Sequence, residues 1–389
     1  MTATMRVVRT VLSFLTAVSL CLVGGGTGLA STTSHPAPGP GDWPKFRFSM
    51  DNHGTNPSET VLSPTTVGGL KPKWAVPTTD VITSSPSVVD GIVYVGSWDH
   101  WVYAVDAKTG ASVWRTATNG RVLSSPTVYN GIVYIGSYDN YMWGLNAATG
   151  QRVWRGHAGG PMEASPAIAN GLVFGGSVDK WVYAFDQSTG AVRWRSPTRS
   201  QIYSSPALDT ANGLLFVTSR DTYVHALNAV NGQQVWRTST SKGIDSTPAV
   251  ADGMVFVGSR DSAVHAFDEF TGQQIWATPT GRPVDSSPAV TNGVVYIGSY
   301  DHNVYALDEV TGDILWSAPT GAGIVASPAV ANGVVYASSQ DGSVYAFDAA
   351  TGHKLWSYAV GTSVRSSPAV SNGMVFVGTD NNALIGFGL

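Results

Sequence analysis

The stretch ASPAVANGVVYASSQDGSVYAFDAATGHKLW, Ala326 to Trp356, decides the fold. A near-copy, SSPAVTNGVVYIGSYDHNVYALDEVTGDILW, ends forty residues earlier at Trp316. Each copy reads as four short strands. SPAVA runs into an Asn-Gly pair, here Asn332-Gly333, and both residues tolerate the positive φ that a type I′ hairpin turn demands. GVVYASS follows, rich in β-branched and aromatic residues. A polar turn at Asp341, the strand VYAFD, a tight turn through Thr351-Gly352 and a last strand ending at Trp356 complete the unit. Four strands in about forty residues make a propeller blade.

The prolines of the leading element fall at Pro86, Pro126, Pro166, Pro206, Pro248, Pro288, Pro328 and Pro368. The step is 40 residues except between Pro206 and Pro248, where LDTANG (Leu208 to Gly213) lengthens the first turn by two. The eighth copy stops at NNALIGFGL, lacking both its Thr-Gly turn and its tryptophan strand. The missing strand stands ahead of the first copy, in GLKPKWAVPT around Trp74. An N-terminal strand that completes the last blade leaves no raw sheet edge between first and last repeats. The expected fold is all-β: an eight-bladed β-propeller of four-stranded antiparallel blades over residues 43–389, its ring closed by the strand around Trp74.

Ahead of the repeats, Arg6 and Arg9 precede an apolar run from Val11 to Val23 and a small-residue exit at Ala30. Residues 1–30 therefore read as a signal peptide whose apolar run is too short to span a bilayer, and 31–42 as a flexible Pro/Gly/Ser leader. The expectation is a secreted or periplasmic monomer with no transmembrane segment after cleavage. The single cysteine, Cys21, lies within the signal segment, so the mature chain has no thiol for disulfides, thiolate metal sites, haem attachment or nucleophilic catalysis. Loss of Arg6 and Arg9 takes the formal net charge from −4 to −6, which argues against nucleic acid as a partner.

Repeated residues read as structure. Asp99, Asp139, Asp179, Asp221, Asp261, Asp301 and Asp341 form a column in the second turn, where Asp accepts backbone N–H groups. Neighbouring blades hold these carboxylates too far apart for one calcium ion. His225 and His265 occupy a slot held elsewhere by Tyr103, Tyr183, Tyr305 and Tyr345 and read as packing residues. The near-equivalent serines beside each proline lack a neighbouring histidine and acid and do not read as nucleophiles.

The motif A-x-D-x-x-T-G-x-x-x-W, as in AFDAATGHKLW (Ala346 to Trp356), resembles the tryptophan-docking motif of the pyrroloquinoline-quinone (PQQ) repeat propellers. The resemblance runs from Trp74 to the C-terminus, and DWPKFRFSMDNHGTNP resembles their lead-in. In style it is closest to the non-enzymatic outer-membrane-assembly type. It implies that Trp74, Trp114, Trp154, Trp194, Trp236, Trp276, Trp316 and Trp356 dock each blade on its neighbour. It also admits a PQQ-dependent alcohol or sugar dehydrogenase, with cofactor and calcium in the central funnel.

Function is expected where the copies disagree on a common face. The residue before each Ser-Ser-Pro element varies and gathers Glu163, Tyr203, Asp245, Asp285 and Arg365 at the channel mouth. The second turn of each blade presents Trp98, Tyr138, Arg220, Arg260 and Tyr300. Two residues beyond the turn aspartate come Trp101, Tyr141, Trp181 and Tyr223 on the first four blades. Aromatic and Arg clusters are common binding anchors, with inter-blade packing as the competing role. The expectation is a non-catalytic binding or scaffold propeller that holds a protein or carbohydrate on this face and needs no cofactor. The dehydrogenase is the alternative, weakened by turns too short to enclose a cofactor.

Overall fold

The computed structural model describes Gly39 and residues 41–389. The signal segment and most of the 31–42 leader lie outside the described residues. The rest forms eight sheets, each a four-stranded antiparallel blade, and Thr55–Asn56 adds a short parallel strand to the inner edge of the seventh, beside Ala329–Ala331. In the first, Ser87–Val89, Ile92–Gly96, Trp101–Asp106 and Ser112–Ala117 follow one another from the channel outward. The eighth sheet takes Ala369–Ser371, Met374–Thr379 and Ala383–Gly388 from the C-terminus and Lys71–Pro77 from the N-terminus. Lys71 pairs with Gly388 and Pro77 with Ala383, with Trp74 between them. Pro72 and Pro77 are tolerated because this strand is outermost, where missing amide donors cost little.

The turn reading follows from backbone angles. Asn332 and Gly333 take φ of 43° and 77°, the left-handed values of a type I′ turn. The second turn is held by its aspartate. Asp99 accepts the Trp101 N–H at 3.1 Å, the Thr79 N–H at 3.1 Å and the Tyr103 hydroxyl at 2.6 Å. In two blades a histidine takes the tyrosine's place, with His225 Nε2 3.1 Å from Asp221 and His265 Nε2 3.2 Å from Asp261. The column is therefore a set of turn braces.

Each docking tryptophan donates its indole N–H to the following blade: Trp114 to Ala147 O at 2.8 Å, Trp154 to Gln187 O at 2.8 Å, Trp74 to Ala107 O at 3.0 Å. Trp194, Trp236, Trp276 and Trp316 repeat the bond, and Trp356 meets Leu70 O in the eighth blade at 3.0 Å. The Thr-Gly turn supplies the seat. Gly150 has φ +71°, and a Cβ there would lie 2.6 Å from the Trp114 ring, so only glycine permits the approach.

Residues Trp43–Asn56 do more than lead in. A propeller's inner strands face the channel with unpaired N–H and C=O groups, and buried backbone groups need partners. This segment circles the bottom of the channel and supplies them. Trp43 exchanges two bonds with Val88 at 2.7 Å, and Pro44 O accepts from Val128 at 2.8 Å. The Ile168 N–H meets Met50 Sδ at 3.3 Å. Leu208, Val250, Val290 and Val330 donate to Met50, Asp51, His53 and Gly54 carbonyls at 2.8–2.9 Å. Asn56 Nδ2 reaches Val370 O at 2.9 Å. All eight blades are engaged. Inward-facing prolyl carbonyls are capped as well, Pro206 and Pro248 by Asn52 Nδ2 at 3.1 and 3.0 Å, Pro288 and Pro328 by the Arg47 guanidinium. Lys45, Arg47 and Asn52 are buried, and desolvation pulls the Lys45 ammonium down to about 7. Asp42, assigned to the leader by sequence, is also buried and accepts the Asp90 N–H at 3.2 Å.

Candidate binding rim

Above this plug lies a shallow funnel floored by Phe46. Its wall is a ring of serine and threonine hydroxyls. Each accepts the backbone N–H of the preceding blade: Ser85 to Ser125 at 2.8 Å, Ser125 to Ser165 at 3.0 Å, and so on to Ser367, whose N–H returns to Ser85 Oγ at 3.0 Å. These hydroxyls are committed to joining blades.

At the funnel mouth the two variable columns interlock. Tyr138 donates to Glu163 at 2.5 Å, and burial raises the Glu163 carboxyl. Arg220 forks onto Asp245 at 2.9 and 2.8 Å, and Arg260 onto Asp285 at 3.1 and 3.0 Å. Arg260 also reaches Asp245 at 2.7 Å, which makes the four one ladder across consecutive blades. Planar Arg–carboxylate forks fix orientation as well as charge. Tyr300 donates to Asp285 at 3.2 Å, and the Arg220 guanidinium covers the Tyr203 ring at 4.3 Å. On the far side Arg365 pairs with Asp380 at 2.9 Å and stacks over Trp98 at 5.5 Å. Trp98 is held from two further directions, by Arg121 at 4.8 Å and by its own N–H to Thr83 at 2.9 Å.

Trp101, Tyr141, Trp181 and Tyr223 do not share these contacts. Each starts the third strand of its blade and lies beneath an arginine of the outer strand: Arg115, Arg155, Arg195 and Arg237 at 4.6, 4.3, 4.4 and 4.8 Å. The sequence carries a signal for this pairing. The first four blades write Trp-Arg at the docking position (Trp114-Arg115, Trp154-Arg155, Trp194-Arg195, Trp236-Arg237), while blades with Ala263, Asn303 and Ser343 write Trp276-Ala277, Trp316-Ser317 and Trp356-Ser357. The aromatic and the arginine vary together because they stack. Arg121 and Thr83, which hold Trp98, were not singled out by sequence, since neither stands out in its column.

The funnel measures about 160 Å³, below the 300–1,000 Å³ usual for small-molecule sites. Asp245 and Asp285 are already engaged by arginines, and no group of three His, Cys, Asp or Glu able to hold a metal occurs among the described residues.

Eight four-stranded blades docked by tryptophan define a PQQ-like β-propeller. The family model described as "Beta-alanine-activating enzyme, beta-propeller" matches residues 81–292, and the chain belongs to that propeller family. The model for the outer membrane protein assembly factor BamB matches residues 260–388. A comparison with curated proteins returns no match. Among solved structures, a quinohemoprotein alcohol dehydrogenase from Pseudomonas putida HK5 is 18% identical, with TM-score 0.77 over 90% of this chain and 80% of that one. A europium-containing methanol dehydrogenase is 14% identical, with TM-score 0.81 over 90% and 98%. BamB from Moraxella catarrhalis is 17% identical, with TM-score 0.69 over 82% and 100%. At such identities the likeness is one of fold.

Proposed function

We propose that this chain is an extracytoplasmic, non-catalytic propeller that holds a protein partner on the rim formed by Trp98, Tyr138, Arg220, Arg260 and Tyr300. The observation that carries this reading is the interlocked rim. The aromatics and arginines of the rim are held by partners of their own around a funnel of about 160 Å³, and preorganised Trp, Tyr and Arg are the residues that dominate interfaces. The match to the BamB model supports a protein partner. Secretion rests on the N-terminal segment and agrees with the finding that no helix among the described residues is long and apolar enough to cross a membrane.

Two measurements test it. Purified protein mixed with PQQ and calcium is expected to keep a featureless visible spectrum after desalting, and a retained quinone band would restore the dehydrogenase reading. Photo-crosslinking from position 98 in the native host is expected to trap one partner protein, while the same label at Val192 on the blade flank traps none. Against that partner, Trp98→Ala with Tyr138→Ala should weaken binding at least tenfold, about 1.4 kcal/mol, with little change in melting temperature. Gln340→Ala should leave it unchanged. Equal crosslinking from both positions, or unfolding of the double variant without a binding defect, would make the rim inter-blade packing.

A further inference from the structure

A cavity of about 550 Å³ opens on the opposite face, between the segment from Phe48 to Pro57 and the bottoms of blades four to six. That volume suits a small molecule. Its walls are part apolar, at Phe48, Leu208 and Val250, and its ionisable groups are acids except for His53.

Two of these acids are out of place for their column. Glu269 and Glu309 stand where other blades carry Ala107, Ala147, Ala229 and Ala349. They are 4% and 3% exposed, and the Oε1 of each has no hydrogen-bond partner. The preceding blades explain the missing donor. Tyr94 and Tyr296 send their hydroxyls to the next blade's carbonyl, at Ala147 and Ala349, and the Tyr134 hydroxyl accepts from Gln187. The equivalent residues before Glu269 and Glu309 are Phe216 and Phe256, which have no hydroxyl to offer. Asp209 faces Glu269 and Asp252 faces Glu309, giving the cavity two carboxyl pairs at successive blade junctions. A buried carboxyl oxygen with no donor is costly, by about 1–3 kcal/mol, unless a ligand supplies one.

We propose that this cavity binds an aliphatic polyamine, its ammonium groups on the Asp209–Glu269 and Asp252–Glu309 pairs and its methylenes against Phe48, Leu208 and Val250. The acids are spread over three blades and form no cluster able to chelate a metal, so a cation with spaced N–H donors and an apolar body matches where a compact ion does not. Burial first, then the Asp209 carboxylate, push Glu269 up to about 8, so it holds a proton at neutral pH that an ammonium group displaces to solvent. Glu309 is raised by burial and by Asp252, against the opposing pull of His53.

The raised value also sets a pH dependence. A carboxyl with a folded value above its unfolded one binds more protons when folded, so its contribution is fullest below about 4.5 and is lost as pH rises towards 8. Without amine, the melting temperature is expected to fall from pH 5 to 8, and Glu269→Gln should flatten that slope.

Titration calorimetry of the whole protein with spermidine at pH 7 and low salt tests the site. Saturable binding is expected, with proton release shown by heats that depend on the buffer's ionisation enthalpy. Glu269→Gln with Glu309→Gln should weaken it at least tenfold, while Asp313→Asn, an exposed acid on a neighbouring turn, should not. A trilysine peptide separates the two sources of ammonium: binding of spermidine but not the peptide supports a free polyamine, and the reverse overturns it. Absence of saturable heat with the unaltered protein, equal binding by the double variant, or displacement of spermidine by calcium would each overturn the proposal. The first of these needs no variant to fold.

Discussion

A chain shortened to begin at Pro57 is expected not to reach the native state. The lost segment lies against the inner edge of every blade and contributes about a dozen hydrogen bonds, counting the caps made by Asn52 and Arg47. At about 1 kcal/mol net for each bond, the loss matches the ~5–15 kcal/mol total stability of a domain. The comparison understates the effect, because a buried carbonyl left without any donor costs more than the bond was worth. The shortened protein should aggregate or show no cooperative melting transition. Arg47→Ala is the single-residue version. It strands the Pro288 and Pro328 carbonyls and opens a cavity, and should cost about 3–5 kcal/mol. A shortened protein that melts like its parent would show that the segment merely rests in the channel.

Deleting Gly69–Thr78 is expected to have an effect of similar size for a different reason. The strand Lys71–Pro77 is the outer strand of the eighth sheet, and its loss bares the edge of Ala383–Gly388. Trp74 goes with it, and with Trp74 the contacts to Phe376 and to the Ala107 carbonyl of the first blade. Leu70 O, the acceptor for Trp356, is lost too, so both junctions of the eighth blade open at once. Light scattering should report association through the bared strand, and a supplied peptide of residues 69–78 should restore part of the melting temperature. Unchanged melting would mean that the blades do not depend on the junction between first and last repeats.

Much of the fold is legible in the sequence because its information is local and repeated eight times. Asn332-Gly333 sets a turn by its own φ preferences, and Gly150 is glycine because the Trp114 ring occupies the space of a Cβ. The Asp column was readable for the same reason, since Asp99 braces a turn two residues long. The candidate site was less legible. Glu163, Asp245, Asp285 and Arg365 were visible as exceptions within a column, but their partners come from another column, often on the next blade. Pairing Tyr138 with Glu163, or Arg220 with Asp245, requires knowing which turn of one repeat meets which strand start of the next. Trp98 and Trp101, three residues apart, looked like one aromatic patch. Trp98 instead lies in the turn and goes to the channel mouth, while Trp101 opens the next strand, past the left-handed His100, and lies beneath Arg115.

The sequence alone determined the eight-blade architecture, the strand order within a blade and the donated strand around Trp74. Each follows from spacing and short-range stereochemistry. Only the tertiary structure decided what the unique segment Trp43–Asn56 does, which rim residues hold one another, and that Glu269 and Glu309 face a cavity without donors. The segment has no repeat to be compared with, and its partners lie as far as 314 residues away, at Val370. The two glutamates take their meaning from hydroxyls that Phe216 and Phe256 lack on neighbouring blades, and a missing donor exists only once the chain has brought those blades together.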